Sequence, residues 1–254
     1  MRTLAHLSDL HFGCVDPPVL EALRRRLKAL APDVVVVSGD LTQRARARQF
    51  REARAFLDTL PKPQVVVPGN HDVPLYNVFA RFLSPLASYR RIVSEELEPA
   101  YVDDEIAILG INTARSFVFK GGRVSERQIG RVCGELRSLR RELTRIVVSH
   151  HPFTSVERLA DCGVDVFVSG HRHATRAAGS STLMVEAGTA TSHRTREEPN
   201  AFNLLRIRPR AIEVEHYALR GGNFVRARAE AFRREDGAWK LGVRAQFPKP
   251  GSEP

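Results

Sequence analysis

The sequence has little of several features that mark specialised classes of protein. It contains only three cysteines in 254 residues, Cys14, Cys133 and Cys162, an odd number whose spacing suits neither a zinc ribbon nor a disulfide framework. No stretch approaches the roughly 18 to 20 consecutive apolar residues of a membrane-spanning helix. We also expect no export signal, because Asp9 and His11 interrupt the first apolar run. We therefore expect a cytoplasmic protein without a membrane span.

The charge is strongly positive, but it is not concentrated in one part of the chain. Lysine and arginine total 39 against 29 acidic residues, for a net charge of +10, and almost all of the basic residues are arginine. Arginine enrichment reflects either coding bias or a positive field that attracts anionic substrates. We favour coding bias, because a basic tail and the interleaved aromatic residues of single-strand binders are both missing. No specific nucleic-acid partner is expected, whereas a phosphorylated small molecule is compatible with this charge.

The hydrophobic periodicity of the first two thirds of the chain predicts an α/β fold. Short apolar runs of strand length alternate with longer amphipathic stretches of helical spacing. In such folds, ligands bind in loops beyond the carboxyl ends of the strands. The predicted strands are 3–8, 34–38, 64–67, 106–111, 146–149 and 166–169, and the predicted helices are 19–30, 49–60, 76–89, 125–143 and 156–160.

After Gly179 the pattern changes to strands separated by turns rich in Gly, Pro or Asn. We interpret these strands as a second sheet that follows the first and packs on it. No repeat or linker interrupts the chain, so we expect a single domain over residues 1–247 and a frayed, Pro- and Gly-rich tail over 248–254. The later predicted strands are 183–186, 203–208, 212–218, 224–232 and 239–245.

Five predicted strands end in residue types that bind metal ions. Taken singly, these motifs have ordinary explanations: D-x-H can be a hydrogen-bonded pair, and Gly-Asp is common in turns and helix caps. Taken together they are hard to ascribe to chance, because six of the nine histidines lie just past a strand. In chain order the motifs are Asp9 and His11, Gly39-Asp40, Gly69-Asn70-His71-Asp72, His150-His151-Pro152, and Gly170-His171-Arg172-His173.

The donor types indicate which metals would bind. Oxygen and imidazole donors without thiolates suit manganese, iron or zinc, and cobalt would also fit. The donors outnumber what one ion needs, so we expect two divalent or mixed-valence ions. A carboxylate such as Asp40 can bridge two metals that lie roughly 3.5 to 4 Å apart.

In this order, the motifs of residues 9–173 resemble those of the calcineurin-like metallophosphoesterase family. Within that family, L-S-D-L-H-F-G and G-N-H-D are similar to the bacterial class III cyclic nucleotide phosphodiesterase branch. The resemblance implies an α/β fold, a four-layer αββα sandwich with two packed mixed sheets. It also implies one metal on Asp9, His11, Asp40 and His173, and another on Asp40, Asn70, His150 and His171. We choose His150 over His151 because it directly follows the strand, and we interpret His151 as a supporting or loop residue.

The predicted activity is that of a metal-dependent phosphoric diester hydrolase. Two divalent cations lower the pKa of a shared water to roughly 7, and the resulting hydroxide attacks the phosphate. His71 matches the non-ligand histidine of the family and would stabilise or protonate the leaving oxygen, while Asp72 would hold the imidazole tautomer. The alternative for His71 is a turn histidine that caps backbone.

The resemblance to the branch suggests 3′,5′-cyclic AMP as the substrate. One alternative is a broad-specificity phosphoesterase or nuclease that acts on nucleic acid or lipid-linked pyrophosphate. The other is a non-catalytic scaffold, which would not need a complete set of metal-binding residues and His71. We expect an open site that prefers diesters, rimmed by loop 113–124, by Arg172, and by segment 190–200 with Arg194 and Arg196. The sequence is compatible with a homodimer.

Overall fold

The computed structural model describes residues 1–76, 78–115, 122, 124–152, 156–193 and 198–247, without the side chains of residues 78, 80, 156 and 157. The strands are β1 (Arg2–Leu7), β2 (Val34–Ser38), β3 (Gln64–Val67), β4 (Ala100–Val102), β5 (Ile106–Ile111), β6 (Thr144–Ser149), β7 (Val166–Ser169), β8 (Arg176–Ala178), β9 (Leu183–Glu186), β10 (Ala201–Arg208), β11 (Ala211–Arg220), β12 (Asn223–Glu235) and β13 (Ala238–Gln246). The helices are α1 (Pro17–Leu30), α2 (Ala47–Leu57), α3 (Val78–Leu83), α4 (Ala87–Ile92), α5 (Glu126–Ser138) and α6 (Val156–Ala160), with a 3₁₀ turn at Asn70–Asp72.

The strands form two mixed sheets. One sheet has the order β13-β12-β11-β10-β1-β2-β3, and the other has the order β4-β5-β6-β7-β9-β8. In the first sheet β1, β2 and β3 run parallel, and in the second sheet β5, β6, β7 and β9 run parallel. The carboxyl ends of the parallel strands in each sheet therefore lie at a common edge.

Strand β2 shows why the sheets pack in layers. Its residues are all buried, as expected of a β-branched strand that lies between two parallel neighbours. Val34 and Val36 join the apolar layer between the two sheets, whereas Val35 and Val37 face the layer that the helices α1 and α2 cover. Side chains of α5 cover the outer face of the second sheet. The predicted four-layer αββα sandwich is confirmed.

The prediction that a second sheet begins after Gly179 is wrong. Strand β10 pairs antiparallel with β1, from Arg2↔Ile207 to His6↔Asn203, so β10 to β13 extend the first sheet. Strand β9 instead pairs parallel with β7 in the other sheet. Local periodicity identifies a strand, but the exposed edge on which the strand pairs depends on contacts far away in the sequence.

Some predicted boundaries also differ from the structure. The helix predicted at 76–89 is two short helices, α3 and α4, and Pro85 lies between them, where it has no N–H to continue a helix. The helix predicted to end at 143 ends at Ser138. Strands β4 and β8 were not predicted, because each has only three residues, too few to show an alternation of apolar and polar side chains.

The cysteines also require a correction. Cys133 of α5 and Cys162, just after α6, form a disulfide with a Cα–Cα distance of 5.1 Å. Their separation of 29 residues gave no sign of a bridge, because the packing of α5 beside α6 brings them together. The expectation that the cysteine spacing suits no disulfide is therefore wrong for this pair, and Cys14 is the free cysteine.

Among the described helices, none has the length and apolar character needed to cross a membrane. The predicted tail at 248–254 lies outside the described residues.

Candidate metal centre

The structure gathers the predicted metal-binding side chains from both sheets. Asp9 and His11 follow β1, Asp40 follows β2, and Asn70 opens the 3₁₀ turn after β3. From the other sheet, His150 follows β6, and His171 and His173 follow β7. The side chains meet across the two sheets: His150 Nε2 lies 3.3 Å from Asp40 Oδ2 and 3.1 Å from Asn70 Oδ1.

One part of this cluster, Asp9 with His11 and His173, is called the carboxylate half below. Asp9 Oδ1 lies 3.4 Å from His11 Nε2 and 3.1 Å from His173 Nε2, and all three residues are buried. Asp9 Oδ1 and both ring nitrogens of His11 have no hydrogen-bond partner among the described residues. Buried polar atoms without partners are costly, and a cation held by these atoms would remove that cost.

The other part, His150, His151 and His171, is called the imidazole half. One ring nitrogen from each of these histidines lies within 4.8 Å of the others. His150 Nδ1 donates to the Ser38 carbonyl oxygen at 2.7 Å, so its Nε2 is free of a proton when the ring is neutral. His151 lies 2.9 Å from Thr113 Oγ1 through Nδ1, and its buried Nε2 has no partner among the described residues.

Asp40 lies between the two halves. Its Oδ2 is 3.8 Å from His11 Nε2 in one half and 3.3 Å from His150 Nε2 in the other. Its Oδ1 accepts a hydrogen bond from the His71 backbone N–H at 2.8 Å, which fixes the carboxylate plane. One oxygen is thus held by the protein backbone, and the other faces both halves.

The electrostatics favour ionised carboxylates in this buried place. Burial opposes ionisation of Asp40, but His150 and His11 hold the pKa of its carboxyl well below the usual range. Burial also opposes protonation of His150, yet Asp40 and Asp9 raise the pKa of that imidazole to about 9. Burial and the charge of His150 lower the pKa of His171 to about 4. A cation would replace the proton that His150 otherwise carries.

The backbone has an unusual conformation at several of the candidate metal-binding residues. Five of them have left-handed φ angles, a conformation that non-glycine residues adopt rarely and that is associated with functional sites. The close approach of the loops also needs glycine at position 69, since a Cβ atom there would collide with the Asp40 carboxylate and backbone N. The left-handed residues are Asp9 (54°), His11 (51°), Asp40 (53°), His171 (71°) and His173 (57°).

His71 lies beside the cluster, as its motif predicts, but Asp72 does not hold its ring. The rings of His71 and His11 are 4.9 Å apart, and His71 Nδ1 donates to the Gln43 carbonyl oxygen at 3.1 Å. The Asp72 carboxylate instead accepts hydrogen bonds from the backbone N–H groups of Gly69, Leu41 and Thr42. Neighbours in a 3₁₀ turn point in different directions, so Asp72 fixes the loops, while Gln43 orients His71.

The environment of Asp72 fits this structural role. Burial and repulsion by Asp40 raise the pKa of its carboxyl to about 6, and the backbone hydrogen bonds oppose that rise. A carboxyl with four donors around it ties the loop after β2 to the loop after β3.

Sequence reasoning missed the serines that precede the motifs. Ser8 donates to Asp9 Oδ2 at 2.6 Å, and the Ser38 carbonyl accepts from His150. Ser149 donates to the His151 carbonyl at 2.7 Å. The signal was available: buried serines at 8, 38, 149 and 169 close or follow four of the strands that lead into the cluster.

The predicted rim is described only in part. Arg172 lies 3.3 Å from Glu186 Oε1 and its side chain is 55% exposed. Residues 116–121 and 123 of the predicted loop rim, and residues 194–197 with Arg194 and Arg196, lie outside the described residues.

Comparison with known proteins identifies the family. Residues 2–175 match the model of the calcineurin-like phosphoesterases, and the chain belongs to that family, which confirms the resemblance of its motifs. It is 33% identical over 120 residues to the glycerophosphodiester phosphodiesterase GpdQ of Enterobacter lignolyticus, covering 41% of this chain and 40% of that protein. It is 31% identical over 81 residues to a probable cyclic nucleotide phosphodiesterase of a Synechococcus species, covering 28% and 32%. The chain thus spans less than half of the length of both relatives.

Among solved structures, the fold is similar to that of a purple acid phosphatase from yellow lupin, Lupinus luteus. The TM-score is 0.67 at 12% sequence identity, with 89% of this chain and 52% of that chain covered. At this identity, the likeness shows a shared fold.

Proposed function

We propose that this chain hydrolyses phosphate diesters with two bound metal ions. The observation that carries the proposal is the position of Asp40 Oδ2, which faces the carboxylate half and the imidazole half at once. Asp9, His11, Asp40 and His173 would hold one ion. Asp40, Asn70, His150 and His171 would hold the other, and His151 would support His171, whose ring is 4.5 Å away. The unpartnered buried atoms of Asp9 and His11 fit this assignment.

Two bound ions would supply Lewis-acid chemistry, which neutralises phosphate charge and lowers the pKa of water. The chain supplies the remaining groups. Because the Gln43 carbonyl accepts from His71 Nδ1, the opposite ring nitrogen Nε2 is the atom that can carry a proton toward the substrate. We assign His71 Nε2 to the leaving oxygen, where it would donate a proton or stabilise negative charge.

The substrate class follows from the site and from the relatives. Two of the relatives are named as phosphodiesterases, one for glycerophosphodiesters and one, as probable, for cyclic nucleotides. We infer a small diester as substrate and 3′,5′-cyclic AMP as the first candidate. A non-catalytic scaffold would not need a buried cluster whose atoms lack partners.

Metal analysis and kinetics test this proposal. Protein purified without added metal should contain close to two ions per chain. It should hydrolyse bis(p-nitrophenyl) phosphate faster than p-nitrophenyl phosphate, because the proposed site prefers diesters. The kcat/KM for cyclic AMP should exceed that for single-stranded DNA at physiological salt. The opposite order would favour a nuclease, and protein that binds metal but hydrolyses none of these esters would contradict the proposal.

A further inference from the structure

Three apolar side chains between residues 76 and 83, after the G-N-H-D motif, are strongly exposed. Tyr76, Phe79 and Leu83 are 76%, 80% and 79% exposed. Phe79 and Leu83 are four residues apart in α3 and share one face of that helix, and Tyr76 lies two residues before the helix begins. We call these three side chains the apolar stripe. Scattered exposed apolar residues are ordinary, whereas a contiguous row marks an interaction surface.

The polarity of α3 is reversed relative to a helix that packs on a core. Among the side chains of α3 that the structure describes, Arg81 is the buried one, at 4% exposure, and its guanidinium donates to the Pro74 carbonyl at 3.0 Å. The charged residue thus anchors the segment to the protein, and the apolar residues face outward. Solvent is a poor environment for such a stripe, so an apolar phase is the more favourable one.

One arginine lies beside the stripe, and three more follow it in the chain. The Arg44 guanidinium lies 5.5 Å from the Tyr76 ring centre. Residues 44–51, which lead into α2, contain four arginines, and Arg46, Arg48 and Arg51 are exposed. Arg48 pairs with Glu52 at 2.8 Å, so Arg44, Arg46 and Arg51 carry the net positive charge of this border. The surface therefore combines an apolar row with a basic border, which is the composition of segments that bind in the interface of an anionic bilayer.

The charge beside the stripe favours an anionic bilayer over a second copy of the chain. A twofold contact between copies would bring two sets of arginines together, and like charges across an interface repel. Three side chains of this size present an area on the order of 400 to 500 Å². Interfacial membrane binding can use an area of this size, because electrostatic attraction adds to the apolar burial.

We propose that the apolar stripe and its arginine border dock this protein on an anionic lipid surface. The stripe is close to the candidate metal centre, because the Gln43 carbonyl that orients His71 directly precedes Arg44. Docking would therefore hold the metal centre near the bilayer surface, where phosphate esters are abundant. The proposal does not depend on hydrolysis, so a failure to bind vesicles and a failure to hydrolyse diesters would be independent results.

Co-sedimentation with vesicles tests the docking surface in the full chain. We expect binding to phosphatidylcholine vesicles that contain phosphatidylglycerol, and much weaker binding to phosphatidylcholine alone, at about 0.1 M salt. The double variant F79S/L83S should lower the partition coefficient about tenfold or more. These residues are exposed, so the variant should fold. The matched control L241S/V243S, on the exposed part of strand β13, should bind like wild type.

A charge variant tests the arginine border. The variant R46Q/R51Q should weaken binding about fivefold for each charge removed, whereas R208Q/R233Q, with exposed arginines on β10 and β12, should not. Equal binding to neutral and anionic vesicles, or unchanged binding of F79S/L83S, would overturn the proposal. So would light scattering that shows a wild-type dimer and a monomeric F79S/L83S, because the stripe would then be an interface between copies.

Discussion

The carboxylate half and the imidazole half of the candidate metal centre differ in the donors that they offer. The first half presents Asp9 with two imidazoles, and the second presents only imidazoles until Asp40 and the Asn70 amide oxygen are added. Carboxylates favour hard ions such as manganese, whereas imidazoles suit zinc and iron. In the proposed dinuclear site, the two positions would therefore differ in metal preference, and Asp40 would be the donor that they share.

The halves also differ in how the protein orients them. In the carboxylate half, Asp9 Oδ2 accepts hydrogen bonds from Ser8 Oγ and from the His171 backbone N–H at 3.0 Å. In the imidazole half, the partners contact ring nitrogens: the Ser38 carbonyl for His150 and the Thr113 hydroxyl for His151. Loss of an orienting partner of this kind typically weakens metal affinity about 10- to 100-fold.

The largest effect is expected for Asp40, the carboxylate that lies between the two halves. Asp40→Ala should leave less than two metal ions per chain and lower kcat/KM for a diester by about 10³-fold or more, because the shared carboxylate is lost. Metal analysis and steady-state kinetics measure both effects. Asp58→Ala, an exposed carboxylate at the end of α2, is the control and should behave like wild type. Two bound ions with nearly full activity in Asp40→Ala would contradict the assignment.

A somewhat smaller effect is expected for His71, whose replacement should leave the side chains of both halves in place. His71→Ala should keep its metal content and lose about 10²- to 10⁴-fold in turnover, as expected when general acid catalysis is removed. The loss should be smaller for a p-nitrophenolate leaving group, which needs little protonation, than for a ribose alkoxide. His193→Ala, an exposed histidine, serves as the control. An equal loss with both substrates would indicate electrostatic stabilisation by His71 instead of proton donation.

The smallest effects are expected for the residues that orient the metal-binding side chains, and they should distinguish the two halves by their metal affinity. Ser8→Ala removes the hydroxyl that orients Asp9 and should weaken metal binding about 10- to 100-fold at one position. Thr113→Val removes the partner of His151, which we assign no metal, and should change affinity less than about tenfold. Manganese and zinc titrations measure both, with Ser169→Ala as a control because its hydroxyl has no described partner. A stronger effect of Thr113→Val than of Ser8→Ala would make His151 a metal ligand.

Sequence alone predicted the strands near the site well, and physical reasons explain where it failed. Strand β2 has the predicted bounds, because a run of valines between polar turns admits few alternatives. The pairing of β10 with β1 was missed because it joins residues about 200 positions apart. The Cys133–Cys162 disulfide was missed although its cysteines are only 29 residues apart, because their contact depends on how α5 packs beside α6.

In the candidate site, too, local motifs predicted the functional residues, whereas contacts between distant parts of the chain could not be predicted. The motifs located Asp9, His11, Asp40, Asn70, His150, His171 and His173 at strand ends, and the structure brings these residues together. The partner of His71 could not be read from its neighbour Asp72. The Gln43 carbonyl that fills this role is a backbone group, and backbone groups leave no mark in a sequence motif.

The left-handed φ angles limit which residues can replace one another at this site. Aspartate, asparagine and histidine are the non-glycine residues that adopt this conformation most readily, and their short side chains carry oxygen and nitrogen donors. Backbone geometry and coordination chemistry therefore favour the same few residue types at Asp9, His11, Asp40, His171 and His173. Glutamate offers the charge of aspartate but fits this backbone less readily. During divergence, exchanges among Asp, Asn, His and Gly should be the accessible steps, so the metal preference of such a site can change while its loops keep their shape.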